Sequence, residues 1–190
     1  PRDLDVALIA LAVPQAHVAH GRLAAAFHSF GLRGPIVFAG ALLAMFASVT
    51  PAVDGYCVVA GTGSGAVRIR AGAIDRVVDA AGWLLGDLGS GYWLGHAAAK
   101  AVAAELDGRG DSTTLTPALL AALKIQWPDG REHTGRPLPL RLFIDAIYAL
   151  RPIDLARFAP LVVSRRSDPV ASRLIAEAER YLVADFATVF

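Results

Sequence analysis

The glycine-rich stretch Gly61–Gly65 (GTGSG) most constrains how this chain can fold. Strand-like runs lie on both sides of it, and in the second run Val67 and Ile69 alternate with arginines, as in a half-buried strand. The sequence therefore predicts a β-hairpin with this stretch at its tip. No Gly-Lys-Ser/Thr triplet follows, which excludes a Walker loop, and a strand follows where a dinucleotide fingerprint requires a helix.

The tip of this hairpin is a candidate phosphate site. Glycines let an anion approach the backbone N–H groups closely, and Thr62 and Ser64 add hydroxyl donors. An ordinary glycine turn is the alternative interpretation, because short motifs of this kind match many unrelated sequences.

The chain before the hairpin has the order strand, helix, strand, helix. Asp5–Val13 is a short apolar run typical of a strand covered on both faces, and Pro14–Phe30 follows as a helix. Ile36–Phe38 is predicted as a second strand and Leu42–Ala47 as a second helix. This order predicts a parallel α/β layer.

The predicted boundary between two lobes lies where the pattern changes, so that residues 1–52 end an N-terminal α/β lobe and 53–190 form a C-terminal lobe. After the hairpin the chain is predicted to be helical from Ser90 onward. Asp168-Pro169 is a strong signal for the start of a helix, and Trp127–Pro139 is predicted as a surface loop because it is polar and rich in turn residues.

Composition excludes several classes of protein. The chain is 55% hydrophobic and 18% charged, and its net charge is +1, so neither disorder nor binding to nucleic acid or an anionic membrane is expected. The uncharged stretch between Arg33 and Asp54 is interrupted by Pro35, Gly40 and Pro51, which argues against a membrane span. No membrane partner is expected, and the single cysteine favours a cytoplasmic protein.

No metal site is predicted from the chain's own ligands. His17 and His20 have a spacing that can bind metal, but no acidic or cysteine partner lies near them, so a surface or partly buried pair is expected. Cys57 is the only cysteine, which excludes an internal disulfide and a cysteine-built zinc site. Its place inside a strand predicts a small buried side chain rather than a nucleophile.

A second glycine-rich motif runs from Gly82 to Gly95 (GWLLGDLGSGYWLG). Asp87 lies among glycines just before a predicted helix, where it can accept hydrogen bonds from sugar hydroxyls. Three aromatic residues of the motif either stack on the apolar face of a sugar or belong to the core: Trp83, Tyr92 and Trp93.

Taken together, the two motifs resemble the family that groups N-acetylglucosamine kinases with BadF/BadG/BcrA/BcrD-type ATPases. The resemblance is clear from about Gly34 to Leu123 and includes the stretch LDGRG at 106–110. It implies an α/β, actin-like (ribonuclease H-like) fold of two lobes with a helical C-terminal part, and with ATP, Mg²⁺ and an amino sugar in the cleft.

The resemblance also implies roles for individual residues. Those expected to hold the ATP phosphates are Gly61, Thr62, Gly63 and Ser64. Those expected near the sugar are Gly82, Trp83, Asp87 and Ser90.

The chain departs from the family at its catalytic position. Relatives carry an aspartate after the second strand, where it acts as general base, and this chain has Ala41 there, which cannot accept a proton. Leu88 replaces an acidic residue that usually follows the motif aspartate. The family's N-terminal Asp-Gly-Gly-Gly-Thr hairpin and its C-terminal adenosine motif are absent, so we expect a central portion that is incomplete at both ends.

Three functions remain open at this point. The resemblance favours an ATP-dependent kinase acting on N-acetylglucosamine or glucosamine. Ala41 favours a non-catalytic protein of the same fold that binds sugar or nucleotide as a regulator. The third, a dehydratase-activating ATPase, needs iron–sulfur cluster cysteines, and the single Cys57 counts against it. Apolar helical surfaces after Pro117 leave a homodimer open as well.

Overall fold

A computed structural model describes residues 6–11, 19–126 and 135–190. The chain folds into two compact units. The first contains residues up to Cys57 together with Val67–Arg76, and the second contains Val58–Ala66 together with Val77–Phe190. The predicted lobe boundary at residues 52 and 53 stays a prediction.

The first unit begins with two parallel strands. Strand β1 (Ala7–Leu11) pairs with β2 (Ile36–Gly40), with Ala7 opposite Ile36. Helix α1 (His20–Ser29) connects them and α2 (Ala41–Val49) follows β2 directly. The predicted β-α-β-α order with parallel strands is confirmed. The helix between the strands provides the crossover that a parallel pair requires.

Three further strands form a sheet in the order β3-β4-β5, made of Gly55–Ala60, Ser64–Arg70 and Ala73–Asp79. The glycine-rich stretch connects β3 to β4, so the predicted hairpin is confirmed. The turn between β4 and β5 has positive φ at both Ala71 and Gly72, which is the backbone of a two-residue type I′ hairpin.

Phe46 of α2, Val67 and Ile69 form the buried cluster of the first unit. Cys57 packs against this cluster and is partly buried. Burial raises the pKa of the Cys57 thiol, which disfavours the reactive thiolate and agrees with its predicted role as a small apolar side chain.

The second unit is mainly helical. Its elements are α3 (Gly91–Leu106), α4 (Leu115–Ala122), α5 (Leu138–Tyr148), a 3₁₀ helix (Pro152–Phe158), α6 (Ala159–Val163) and α7 (Pro169–Val189). Helix α3 is central, and its fully buried residues Ala98 and Val102 belong to the same core as Phe143 and Phe158. Small side chains on α3 allow its neighbours to approach closely.

The predicted surface loop at Trp127–Pro139 needs correction at its end. Residues 127–134 lie outside the described residues, whereas Leu138 and Pro139 begin α5 and Pro139 is buried. Proline is tolerated there because a helix's first turn has no intrahelical partner for its N–H groups. Among the residues described, no helix combines the length and the apolar character needed to cross a bilayer.

Asp168 joins two helix starts in the second unit. Its carboxylate accepts the N–H groups of Val170 and Ala171 at the start of α7, as the sequence predicts for this cap. It also accepts the Thr113 hydroxyl at 2.9 Å and the Thr114 N–H at 2.7 Å, just before α4. Burial acts to raise the pKa of Asp168, but these hydrogen bonds outweigh it and hold the pKa at about 2.

Replacing Asp168 by alanine is expected to lower the free energy of unfolding by about 2–3 kcal/mol, because one cap and the bonds to the threonines are lost together. The depressed pKa means that the part of this stabilisation that depends on the ionised carboxylate is present above about pH 4 and is lost as the pH falls through about 2. Denaturant unfolding at pH 7 and pH 2.5 measures both effects. Glu179→Ala, an exposed change on the same helix, is the control, and an equal loss in both variants would contradict the assigned role.

Candidate functional site

The loop between β3 and β4 contains backbone donors that the fold leaves unused among the described residues. The Gly61 N–H donates to the Gly63 carbonyl at 2.9 Å, which folds the tip of the hairpin back on itself. Within the part of the chain that the structure describes, the N–H groups of Thr62 and Gly63 make no hydrogen bond, and the Thr62 side chain is exposed. The loop therefore offers two amides and a hydroxyl to an anion.

The N-terminus of α3 supports this loop from behind. The Gly91 N–H donates to the Gly61 carbonyl at 2.8 Å, and the Tyr92 N–H donates to the Thr62 carbonyl at 3.0 Å. Two N–H groups that a helix start leaves unpaired are thus used to hold the loop. The positive end of the α3 dipole also lies next to the loop, which favours a negative charge there.

Asp87 connects the second motif to the same loop. Its Oδ1 accepts the Ser64 N–H at 3.1 Å, and the Ser64 hydroxyl donates to the Leu88 carbonyl at 2.8 Å. The side chain is buried, with 7% of its surface exposed, and its Oδ2 makes no hydrogen bond within the described residues. Two motifs that the sequence presents separately therefore meet in the structure.

Gly63 has a steric role beside Asp87. A Cβ on Gly63 would lie 2.7 Å from Asp87 Oδ1, closer than a carbon and a carboxylate oxygen can approach. The carboxylate is short and buried, so it has little room to move away. The glycine is needed because the carboxylate and the loop backbone occupy adjacent space.

Replacing Gly63 by alanine is expected to weaken, by about tenfold or more, the ATP binding that the family resemblance predicts for this loop, since the Asp87–Ser64 bond must lengthen or the loop must shift. Calorimetric titration of the full-length protein with Mg²⁺-ATP measures this. Gly21→Ala is the matched control, because a Cβ there meets no described atom within 4 Å. Equal affinities for the two variants would show that the loop tolerates the side chain.

The aromatic residues of the second motif divide between surface and core. Tyr92 is buried, and Trp93 packs edge-on against Tyr181 of α7 with ring centroids 5.4 Å apart. Trp83 is 41% exposed, and its ring packs edge to face with that of Tyr92, with ring centroids 5.8 Å apart. It lies at one side of a groove of about 900 Å³ between α3 and α5, so Trp83 is the aromatic residue with a free face.

His96 and Lys100 line this groove on the next turns of α3. Partial burial, together with the nearby Lys100 charge, lowers the pKa of His96, so its imidazole is neutral at physiological pH. His96 also stacks on Tyr92 with centroids 5.6 Å apart, in agreement with a role in helix packing.

The other two residues predicted to lie near the sugar, Gly82 and Ser90, make hydrogen bonds that stabilise the local backbone. The Gly82 carbonyl accepts the N–H groups of Leu85 and Gly86, which forms the turn that carries Trp83. Ser90 is fully buried and caps α3 by accepting the Trp93 N–H at 3.1 Å. Their roles toward a sugar stay predictions.

Ala41 is the first residue of α2, immediately after the carboxyl end of β2. Ligands of open α/β sheets bind at the carboxyl ends of parallel strands, which is where a catalytic side chain is expected. Ala41 belongs to the first unit, whereas the other predicted site residues belong to the second.

Sequence reasoning missed Asp79, the last residue of β5. Its carboxylate accepts the N–H groups of Asp87 and Leu88, both at 2.8 Å. A local signal was present, because an aspartate at the end of a strand often accepts an N–H two residues on, as Ala81 donates here. No sequence pattern indicates its contacts with Asp87 and Leu88, which lie further along the chain.

The residues that the structure covers contain no group of three or more histidine, cysteine, aspartate or glutamate side chains that could hold a metal ion. His17 lies outside the described residues, so the predicted nature of the His17–His20 pair stays a prediction.

Solved structures with the same fold are proposed N-acetylglucosamine kinases. One, from Chromobacterium violaceum, is 27% identical with a TM-score of 0.67 over 90% of this chain and 56% of its own length. The predicted family resemblance is confirmed. Another, from Porphyromonas gingivalis, is 20% identical with a TM-score of 0.68 over 97% of this chain and 60% of its own length.

The chain therefore has the actin-like fold of these sugar kinases and spans somewhat more than half of their length. No family model matches the sequence, and no curated protein matches it.

Proposed function

We propose that the protein containing this chain is an ATP-dependent kinase scaffold for an amino sugar of the N-acetylglucosamine or glucosamine type. The observation that carries the proposal is the pair of unpaired amides at Thr62 and Gly63, held against the N-terminus of α3 within the described part of the chain. Phosphoryl transfer depends mainly on positioning the phosphates and on neutralising their charge. The two amides can position a phosphate, and the positive end of the α3 dipole favours its negative charge. The kinase names of its structural neighbours support the same conclusion.

The division of roles follows from the contacts. Gly61, Thr62, Gly63 and Ser64 would hold the ATP phosphates, and Mg²⁺ would enter with the nucleotide, because this ion is usually bound through phosphates, waters and few protein ligands. When bound, Mg²⁺ supplies charge neutralisation. Thr62 contributes an exposed hydroxyl and an amide to the anion, while Ser64 is held in place by Asp87 and Leu88.

Sugar recognition is assigned to the second motif. Asp87 Oδ2 has no hydrogen-bond partner in the described part of the chain and can accept from a sugar hydroxyl. The free face of Trp83 can cover an apolar sugar face. Gly82 and Ser90 would fix the backbone around them through the turn and the helix cap described above.

A non-catalytic regulator of the same fold is the second candidate, and Ala41 is the observation that favours it. Without a carboxylate at this place, the chain lacks the group that would take the proton from the attacking hydroxyl. The dehydratase-activating alternative has less support, since Cys57 is the chain's only cysteine and is partly buried in the first unit.

The proposal is tested with the full-length protein. Calorimetry with Mg²⁺-ATP and with a panel of amino sugars measures binding, and coupled detection of ADP with analysis of the phosphorylated sugar measures transfer. Binding of both ligands with slow, sugar-dependent ADP release is expected. Absence of binding to both ATP and every amino sugar would overturn the proposal.

A further inference from the structure

Asp79 lies at the junction between the sheet and the second motif. It is the last residue of β5 and has a positive φ of 58°. Its Oδ1 accepts the Ala81 N–H at 3.3 Å and the Asp87 N–H at 2.8 Å, and its Oδ2 accepts the Leu88 N–H at 2.8 Å. A single carboxylate thus holds both ends of the turn between residues 81 and 88.

Gly86 shows how closely the turn is built around this carboxylate. A Cβ on Gly86 would overlap Asp79 Oδ1. The Gly86 N–H is meanwhile bonded to the Gly82 carbonyl at 2.8 Å, so the turn cannot easily open to make room. The side chain of Asp79 and the absence of one at Gly86 are therefore matched.

The residues that Asp79 fixes are the ones that hold the loop between β3 and β4, residues 61–64, which we call the phosphate loop after its proposed role. Asp87 accepts the Ser64 N–H through its carboxylate, and Leu88 accepts the Ser64 hydroxyl through its carbonyl. Asp79 bonds to the backbone N–H of each of these residues. A continuous series of hydrogen bonds thus runs from Asp79 through the second motif to the phosphate loop.

We propose that Asp79 is the positioning residue that sets Asp87 and the phosphate loop in register, so that the nucleotide and sugar subsites depend on one carboxylate. The part of this proposal that concerns ligands rests on the proposed function. Asp79 acts through Asp87, Leu88 and Ser64 rather than by touching either ligand itself.

A second carboxylate lies close to Asp79 on α7. The Oδ2 of Asp185 is buried and has no hydrogen-bond partner among the described residues. Burial, and then the negative charge of Asp79, raise the pKa of Asp185. The two carboxylates therefore interact electrostatically, and Asp79 makes its three hydrogen bonds to the turn in the presence of this second acidic group.

Two variants test the proposal in the full-length protein. Asp79→Asn removes one of the two acceptor oxygens, and Gly86→Ala displaces the carboxylate without removing it. Amide hydrogen exchange at Ser64 is expected to become about tenfold faster or more in both, although neither change touches Ser64. Asp75→Asn is the control, because this carboxylate lies on the same strand and pairs with Arg68 instead.

Ligand titrations separate this proposal from the proposed function. Asp79→Asn is expected to weaken both ATP and amino-sugar binding about tenfold, and Asp79→Glu is expected not to restore it because the longer side chain meets Gly86. Unchanged Ser64 exchange in both variants would overturn the positioning role. Faster Ser64 exchange in a protein that binds neither ligand in any form would support Asp79 as loop positioner and reject the kinase proposal instead.

A merely structural role predicts a different result. If Asp79 only stabilised the fold, amide exchange would rise equally at Ser64 and at the buried residues of α4. Both ligand affinities would then stay unchanged after correction for the fraction of unfolded protein. That outcome would also overturn the proposal.

Discussion

Replacing Ala41 by aspartate is expected to raise the rate of ATP-dependent sugar phosphorylation by about 10²–10⁴-fold, the usual contribution of a positioned general base. Ala41 is partly buried at the first position of α2, a place that accepts an acidic residue readily. The helix has no acidic residue in its first turn, and a negative charge there is stabilised by the helix dipole. The change should therefore add a base without cost to the fold.

The measurement is the initial rate of sugar phosphorylation at saturating Mg²⁺-ATP in the full-length protein. Ala41→Asn has nearly the same size as the aspartate variant but accepts no proton, so it should remain as slow as the unsubstituted protein. Rates that rise equally in both variants would attribute the gain to packing. If Ala41→Asp binds both ligands and still transfers no phosphate, the regulator interpretation is the correct one.

Replacing Gly95 by alanine is expected to lower the free energy of unfolding by about 3 kcal/mol or more, enough to prevent folding in a marginally stable protein. A Cβ on Gly95 would overlap the carbonyl oxygen of Leu155, where α3 crosses the 3₁₀ helix. The obstacle is backbone rather than a flexible side chain, and Gly95 and Leu155 are both buried. The two elements must separate, which opens the core around Ala98 and Phe158.

Denaturant unfolding followed by circular dichroism, together with the yield of soluble protein, checks this expectation. Gly21→Ala on α1 is the control, since it adds the same methyl group to a helix in open space and should be neutral or slightly stabilising. A Gly95→Ala protein as stable as this control would mean that α3 and the 3₁₀ helix are less closely packed than the structure shows.

Local patterns were sufficient for much of this fold. The apolar run at β1, the alternation of Val67 and Ile69, and the cap at Asp168 each depend on residues close in sequence, and both strands and the cap are confirmed. The expectation that β1 is covered on both faces is wrong for the described residues, because Leu8 is exposed. The overall architecture was predicted from the resemblance of two motifs to a kinase family, and the structural neighbours confirm this resemblance. Pro139 was misplaced in a loop because proline signals a turn and a helix start equally well.

Contacts between distant segments were not predictable in the same way. Ser64 and Asp87 are 23 residues apart, and no periodic pattern indicates that they bond. Asp79 bonds to the N–H groups of residues eight and nine positions further along the chain, and no local pattern indicates these two contacts. Gly95 is the last residue of the second glycine-rich motif, and the structure shows that a side chain there would overlap the carbonyl of Leu155.

Helix α3 connects the phosphate loop to the helical core. Its first residues hold Gly61 and Thr62, and its last turn bonds through Glu105 to Ser112 and Thr113. Under the proposed function, a nucleotide bound to the ordered loop is expected to stabilise the fold that includes these distant helices, by about 2.7 kcal/mol at a hundredfold excess over its Kd. A substitution deep in the helical core should then be partly offset by added nucleotide, although it changes no residue that would contact the ligand.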